Sequence, residues 1–275
     1  MTAEANSGHP AGSLSAVEIL VALYFSVLRH DADNPLWPQR DRFVLSKGHI
    51  TPGYYAVLAE AGYFPPEELF SFRKLGSRLQ GHTVRGVPEG VEMSAGALGM
   101  GLSFSLGLAL AAHLDGEKHS IFCLLSDGDC NEGQTWEAAM ASGHHRVDNL
   151  VAIVDYNHIQ NDGFSDYSLY GGNGERGRTG GWVLDSGYTV NIMSTQPLAQ
   201  KWRAFGWRAL EVDGHDIKAL LNVLTRARTR EGKPTVIIAR TTKGKGVSYM
   251  ENNPSFHGRA PTPEQVEQAL AELAD

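Results

Sequence analysis

Two continuous apolar runs constrain the fold of this chain most, at residues 121–125 (IFCLL) and 150–154 (LVAIV). A strand with one solvated face alternates apolar and polar residues, whereas a strand covered on both faces is apolar throughout. The two runs therefore predict neighbouring strands inside a parallel sheet. A helix predicted at 135–142 lies between them and provides the crossover that parallel strands require.

The remaining segments continue this alternation of strands and helices. Ser15 with Glu18, and Thr262 with Gln265, have the spacing of capping boxes, which predicts that two helices begin at Ser15 and Thr262. Further strands are predicted at 42–45, 207–212 and 235–239, and further helices at 15–29, 51–61, 67–75, 96–114, 216–230 and 262–274.

This pattern indicates an α/β fold with a doubly wound, mostly parallel sheet flanked by helices. Neither an internal repeat nor a linker divides the sequence. We therefore predict a single domain over residues 1–275, with a glycine-rich insertion at about 165–192.

Composition excludes several classes of function. The chain has 24 Lys and Arg against 31 Asp and Glu, a net charge of −7, and no dense basic run, so nucleic-acid binding is not expected. Glycines, serines and a histidine interrupt the apolar window 98–114, which predicts a buried helix rather than a membrane span. Two cysteines, Cys123 and Cys130, and no secretory signal pattern predict a cytoplasmic protein.

Polar side chains follow the two apolar runs, at residues 126–133 (SDGDCNEG) and 155–160 (DYNHIQ). Ligands of parallel sheets bind beyond the carboxyl ends of the strands, where Asp127 and Asn157 are expected side by side. Either residue alone is also typical of a turn. Together they provide the hard oxygen ligands of Mg²⁺, and Gly128 permits close approach of a phosphate.

Five sets of segments resemble the transketolase family of thiamine-diphosphate enzymes. The first is Asp127-Gly128, with Glu132 five residues after the aspartate and Asn157 about thirty residues on, which resembles the cofactor motif of the superfamily. The others are 7–10 (SGHP), 41–49 (DRFVLSKGH), 96–101 (GALGMG), and 242–246 (TKGKG) with 256–258 (FHG). The resemblance runs from about residue 3 to 261. It implies the thiamine-diphosphate-binding fold and transfer of a two-carbon ketol unit from a ketose or ketose phosphate to an aldehyde.

The resemblance also implies a metal and diphosphate site. Asp127, Asn157 and the carbonyl of Ile159 would hold Mg²⁺, or Ca²⁺ or Mn²⁺ in its place, and Gly128 would contact the diphosphate. The residues implied around the diphosphate and its channel are Lys47, His49 and Lys243, and those implied at the aminopyrimidine ring are Gly96 and Leu98.

Four histidines are implied at the reacting centre. His9, His82 and His257 would surround the reactive carbon of the cofactor, with His49 beside them in the channel. Histidine suits the binding of substrate hydroxyls because its ring can donate, accept or carry a proton near neutral pH.

A partner subunit is implied as well. In the transketolase family a second domain supplies the catalytic glutamate and the aromatic bed of the pyrimidine, and no segment is left for it after residue 239 except a loop and a helix. The chain thus resembles the N-terminal subunit of a split transketolase, active with a C-terminal partner, with α₂β₂ as the expected assembly. Glu132 would meet the catalytic glutamate of that partner.

The sequence also departs from the family pattern. Thr83 follows His82 where proline is usual, Ser126 stands where glycine is usual, the segment 165–192 is long, and the chain begins just before Ser-Gly-His-Pro.

Three alternatives follow from these observations. One is a related ketol or acyl transferase with a carrier-bound or unusual acceptor, or a 2-oxo acid dehydrogenase-like component. A nucleotide-binding oxidoreductase is disfavoured, because Gly96, Gly99 and Gly101 have the wrong spacing for a dinucleotide fingerprint. The third alternative, a non-catalytic subunit, is disfavoured because such a subunit would not need Asp127 and Asn157. The donor and the acceptor are left open.

Overall fold

The computed structural model describes residues 1–161, 163–165, 182–183, 189–190 and 192–274. In these residues a central parallel sheet of five strands has the order β1-β2-β3-β9-β8, and two short antiparallel pairs, β4–β5 and β6–β7, lie apart from it. The strands are β1 Arg42–Leu45, β2 Ile121–Ser126, β3 Leu150–Tyr156, β4 Ile159–Gln160, β5 Gly163–Phe164, β6 Trp182–Val183, β7 Thr189–Val190, β8 Arg208–Asp213 and β9 Thr235–Arg240. The predicted α/β class and parallel sheet are confirmed.

Helices cover both faces of the central sheet. A π-helical turn, Leu23–Val27, extends α1. The α-helices are α1 Pro10–Ala22, α2 Thr51–Glu60, α3 Met100–Leu114, α4 Gly133–His145, α5 Leu198–Ala204, α6 Ile217–Ala227 and α7 Pro263–Glu272. Short 3₁₀ turns lie at Gly48–Ile50, Pro66–Ser71, Gly128–Asn131 and Pro254–Phe256.

The apolar runs form strands that are covered on both faces, as the sequence predicts. In β2, Phe122 and Leu124 belong to the core beneath α1, α2 and α6. Ile121, Cys123 and Leu125 belong to the core beneath α3, α4 and α5. Because successive residues of a strand point to opposite faces, a strand between two cores must be apolar at every position.

Three predicted helix starts are corrected. Ser15 does not begin a helix: α1 begins at Pro10, whose fixed φ suits a first turn, and Ser15 is buried inside it. The helix predicted from residue 96 begins at Met100, because Gly99 adopts a left-handed conformation with φ 82°. The helix predicted at 67–75 is the 3₁₀ segment Pro66–Ser71. The capping box of Thr262 and Gln265 is formed as predicted.

Within the described part of the chain, one helix has the length and the mean hydropathy of a membrane span. Residues Pro10–Val27 form 18 continuous helical residues with a mean hydropathy of 1.5. However, 61% of this stretch is buried within the protein, and Ile19, Leu20 and Leu23 have no exposed surface. Its apolar character is that of a core helix. Helix α3 is shorter than a membrane span.

The insertion predicted at about 165–192 lies mostly outside the described residues. The assignment of a single domain to residues 1–275 stays a prediction.

Candidate active site

The candidate site lies at the carboxyl ends of β2 and β3. Ser126 pairs with Asp155 in the parallel ladder, so the chain leaves both strands at the same level. Asp127 and Asn157 follow directly and are 1% and 4% exposed. The predicted juxtaposition of these two residues is therefore present.

A cavity of about 150 Å³ opens between these loops. Nine of the thirteen predicted site residues line it: Lys47, His49, Leu98, Asp127, Gly128, Asn157, Ile159, Lys243 and His257. Four further lining residues were not predicted: Gly12, Ser126, Gln160 and Asn161. Segments far apart in sequence thus converge on one enclosed space.

The oxygen atoms in this cavity fit a hard divalent cation. The Asp127 carboxylate accepts from the Gly128 amide at 2.9 Å, and Asn157 Oδ1 accepts from the Ile159 amide at 3.1 Å. Lys243 Nζ donates to the Ile159 carbonyl at 3.0 Å, so a cation already faces that oxygen. Among the described residues no three His, Cys, Asp or Glu side chains could hold a metal. A metal here would depend on one carboxylate with amide and carbonyl oxygens, a set that suits Mg²⁺.

Burial changes the charge states in the cavity. It raises the pKa of Asp127 to about 6, against the attraction of Lys243. It lowers the pKa of Lys243 to about 7, and the positive charge of Lys47 acts in the same direction. A divalent cation beside Asp127 and an anion beside the two lysines would each reduce the free-energy cost of burying these charged groups.

Three of the predicted histidines form a cluster, and two of them, His49 and His257, line the cavity. The ring centroids of His9 and His49 are 5.1 Å apart, and that of His257 is 5.3 Å from both. Burial lowers the pKa of His9 to about 4 and of His257 to about 3, and holds the pKa of His49 well below its usual value. The cluster is therefore neutral at pH 7. Each neutral ring can donate from one nitrogen and accept at the other.

Comparison with known proteins decides the family. The family model described as transketolase, thiamine diphosphate binding domain, matches residues 1–186 and 185–274. This chain belongs to the transketolase family.

Two curated relatives of the chain are short transketolase subunits. It is 41% identical over 266 residues to the 6-deoxy-6-sulfo-D-fructose transketolase subunit SqwG of Clostridium sp. (strain MSTE9), covering 97% of this chain and 88% of the relative. It is 41% identical to an apulose-4-phosphate transketolase subunit of Actinobacillus succinogenes, covering 98% of this chain and 88% of that relative.

Full-length transketolases are matched over part of their length. The human enzyme is 36% identical, with 99% of this chain and 39% of that enzyme covered. The transketolase structure from Campylobacter jejuni has a TM-score of 0.83 at 32% identity, covering 99% of this chain and 40% of that one. The predicted family, the N-terminal position within it and the thiamine-diphosphate-binding fold are confirmed.

Four predicted site residues lie off the cavity. His9 adjoins it through the histidine cluster. His82 lines a separate surface pocket with Arg73 and Thr83, so the structure does not bring it to the cavity wall. Gly96 is exposed. Glu132 is exposed at the start of α4, where a Cβ added at Gly99 would lie 2.7 Å from that of Glu132.

Two buried aspartates bond to the loops around the candidate site, and neither was predicted as a site residue. Asp129 accepts hydrogen bonds from the Gly99 amide at 2.8 Å and from the Ser126 amide at 2.7 Å. Asp155 accepts from Ser15 Oγ at 2.7 Å and forms an ion pair with Lys47. Neither aspartate has exposed surface. For Asp155 the available signal was an acidic residue near the end of an otherwise apolar strand, which has to be paired when buried. Asp129 lies in the 3₁₀ turn Gly128–Asn131, where no such pattern marked it.

The histidine cluster predicts how stability responds to acid. An unfolded histidine titrates near pH ~6.5, whereas the pKa of His257 is about 3 in the folded protein. As pH falls below about 6.5 the unfolded chain takes up protons first, so the stability present at pH 7.5 is progressively lost. We expect the free energy of unfolding to fall between pH 7.5 and 5, and to fall less in His257→Gln. Denaturant unfolding measures this, with exposed His144→Gln as the control. Equal pH dependence in all three proteins would contradict the prediction.

Proposed function

We propose that this chain is the N-terminal subunit of a two-subunit transketolase that depends on thiamine diphosphate and Mg²⁺. It would transfer a two-carbon ketol unit from a ketose or ketose phosphate to an aldehyde. One observation carries the proposal: nine residues selected by their resemblance to transketolases line a single cavity. The length of the chain supports it, since the chain covers 88% of relatives that are named as transketolase subunits.

In this proposal the three oxygen groups of Asp127, Asn157 and Ile159 hold Mg²⁺. Lys47 and Lys243, both at most 2% exposed, face the diphosphate with positive charge. Thiamine diphosphate supplies, when bound, the carbon nucleophile and the electron sink for breaking a carbon–carbon bond. Asp127, Lys47 and Lys243 are nearly fully buried, and electrostatic interactions are stronger in a buried site than in bulk water.

The histidine cluster orients the substrate. Lys243 Nζ lies 2.5 Å from His257 Nδ1. A charged Lys243 can only donate, so in the proposed complex with the diphosphate anion the neutral His257 ring would carry its proton on Nε2. That proton is available to a hydroxyl or carbonyl oxygen of the substrate. In this proposal His9, whose ring contacts those of His49 and His257, binds a substrate hydroxyl.

We also propose the partner and the cellular setting. The partner would be a C-terminal subunit with the pyrimidine-binding domain, in an α₂β₂ complex in the cytoplasm. Apolar side chains on α3 and α4 support an interface there: Met100 is 44% exposed, Leu114 88% and Met140 56%. A contact with the partner at these helices would remove the three apolar side chains from water.

The proposal is tested by reconstitution. The chain is combined with its partner, Mg²⁺, thiamine diphosphate, a ketose donor and an aldose acceptor. The donors should include phosphorylated and sulfonated ketoses, since the two short relatives are named for one of each. We expect a ketose product two carbons longer than the acceptor. A complex that binds the cofactor but transfers no ketol unit would overturn the proposed reaction.

A substitution on α3 tests the position of the interface. A Cβ added at Gly107 meets nothing within 4 Å, so Gly107→Arg should fold normally. It would place a charged side chain within the proposed apolar interface, and we expect partner affinity to fall at least about tenfold. Copurification measures this, with Ala271→Arg on exposed α7 as the control. An intact Gly107→Arg complex would exclude this face as the interface.

Loss of His257 should affect catalysis more than cofactor binding. Because its Nε2 proton is proposed to donate a hydrogen bond to a substrate oxygen that gains charge in the reaction, His257→Ala should lower kcat/KM by about 10- to 100-fold. Affinity for thiamine diphosphate should stay within about threefold, since the metal ligands are unchanged. Steady-state kinetics and cofactor titration separate the two effects, with His144→Ala as the control. A large loss of cofactor affinity would mean that His257 contacts the diphosphate instead.

A further inference from the structure

Ser15 connects helix α1 to the candidate metal site. It lies within α1 and has no exposed surface. Its Oγ lies 2.7 Å from Asp155 Oδ1 and 2.9 Å from Oδ2, across 140 residues of sequence. A serine inside a helix more often bonds the carbonyl four residues earlier, as Ser13 does with His9 at 3.0 Å. The Ser15 hydroxyl therefore bonds to a side chain near the end of β3 rather than to the backbone of its own helix.

The hydrogen bonds of this serine fix the orientation of a neighbouring amide. An ionised Asp155 can only accept, so it takes the single proton of the Ser15 hydroxyl. Ser15 Oγ has two further neighbours, Thr241 Oγ1 at 3.2 Å and Asn157 Nδ2 at 2.9 Å. The Thr241 hydroxyl donates its own proton to Asp155, so Ser15 Oγ accepts from Asn157 Nδ2. The same nitrogen lies 3.4 Å from Asp155 Oδ2. With Nδ2 held on this inner side, Asn157 Oδ1 faces the other way, where it accepts from the Ile159 amide.

Rigid elements hold the aspartate in place. Asp155 forms an ion pair with Lys47 at the end of β1 and accepts from the hydroxyl of Thr241, just after β9. Asp155 and Lys47 are at most 1% exposed. The charge and position of Asp155 are thus set by three strands of the sheet, and through Ser15 they select one of the two orientations of the Asn157 amide.

We propose that Ser15 and Asp155 are positioning residues that direct Asn157 Oδ1 toward the metal. This inference rests on the proposed function, in which Asn157 Oδ1 is a ligand of Mg²⁺. With the amide reversed, an NH₂ group would face the cation in place of the oxygen. Groups that orient metal ligands in this way typically contribute about 10- to 100-fold to metal affinity.

The test compares Ser15→Ala with a matched substitution. Ser105 is also a helical serine without exposed surface. Its hydroxyl donates to the Gly101 carbonyl at 2.8 Å and neighbours the Cys123 thiol, and neither residue belongs to the candidate site. Titration calorimetry of the reconstituted two-subunit complex with Mg²⁺ and millimolar thiamine diphosphate measures affinity. The unfolding midpoint without ligands measures stability. We expect Ser15→Ala to weaken Mg²⁺ binding at least about tenfold and Ser105→Ala to leave it unchanged. Ser15→Cys, a weaker donor of similar size, should lie between wild type and Ser15→Ala.

Two results would overturn the inference: unchanged Mg²⁺ affinity in Ser15→Ala, or equal losses in Ser15→Ala and Ser105→Ala. Asn157→Ala separates this failure from that of the proposed function. If Asn157→Ala loses Mg²⁺ binding while Ser15→Ala keeps it, the positioning role alone is wrong. If Asn157→Ala binds Mg²⁺ as the wild type does, the proposed metal site is wrong.

Discussion

Asp127→Ala is expected to abolish the Mg²⁺-dependent binding of thiamine diphosphate, with a loss of at least about a hundredfold in affinity. Asp127 supplies the single carboxylate among the three proposed ligand groups. It is 1% exposed, and no other carboxylate lines the described part of the cavity. The oxygens of Asn157 and Ile159 carry no formal charge. They cannot offset the cost of placing Mg²⁺ in a buried site that also contains two lysines.

The charge of Asp127 can be separated from its shape. Asp127→Asn keeps the size and one oxygen but removes the charge, so it should lose most of the affinity lost in Asp127→Ala. Asp213, at the carboxyl end of β8, is an exposed aspartate at the same edge of the sheet, and Asp213→Ala is the control. Calorimetric titration of the cofactor with and without Mg²⁺ measures the effect. Unchanged Mg²⁺-dependent affinity in Asp127→Ala would exclude Asp127 as a metal ligand.

The bounds of the central strands could be predicted closely because the apolar pattern that marks each strand lies within the strand itself. A strand between two cores must be apolar at each position, so residues 121–125 and 150–154 mark β2 and β3 within one or two residues. The paired loops followed from the same reasoning. Parallel neighbours end at one edge of the sheet, so Asp127 and Asn157 had to emerge together.

The supporting polar network could not be predicted in this way. Ser15 and Asp155 are 140 residues apart, and no local spacing encodes their contact. The spacing of Ser15 and Glu18 instead imitated a capping box, although α1 had already begun at Pro10. A cap is recognised by neighbours three residues away, whereas burial of a polar side chain depends on a distant partner.

At His82, a predicted site residue, the sequence again did not determine the contacts of the side chain. Its motif resembles that of transketolases, but Thr83 follows it in place of the usual proline. In the structure Thr83 Oγ1 donates to the Met93 carbonyl at 2.8 Å, and His82 opens into the pocket that contains Arg73. The residue type was predictable from the resemblance. The direction of its side chain depends on how the backbone around Thr83 and Met93 packs.

The chain without a partner is expected to show no measurable ketol transfer, and to gain activity when the C-terminal subunit is added. The resemblance to transketolases implies a catalytic glutamate from a second domain. Among the described residues that line the cavity, Asp127 is the only acidic one, and it is proposed to be occupied by the metal. Glu132 is exposed beside Gly99, a place suited to contact with a partner. The exposed apolar side chains of α3 and α4 would also remain in water without one.

Trace contamination by a full-length transketolase is the main source of false activity in this experiment, and Asp127→Ala provides the control. The assay combines the purified chain with Mg²⁺, thiamine diphosphate, hydroxypyruvate and an aldose, with and without the partner. Activity that belongs to the complex should appear only with both subunits and disappear in the Asp127→Ala complex, because that chain has lost a proposed metal ligand. Activity of a contaminant would be equal in the wild-type and Asp127→Ala preparations. Turnover by the lone wild-type chain that Asp127→Ala abolishes would show that one subunit suffices, and the proposal of a split enzyme would be wrong.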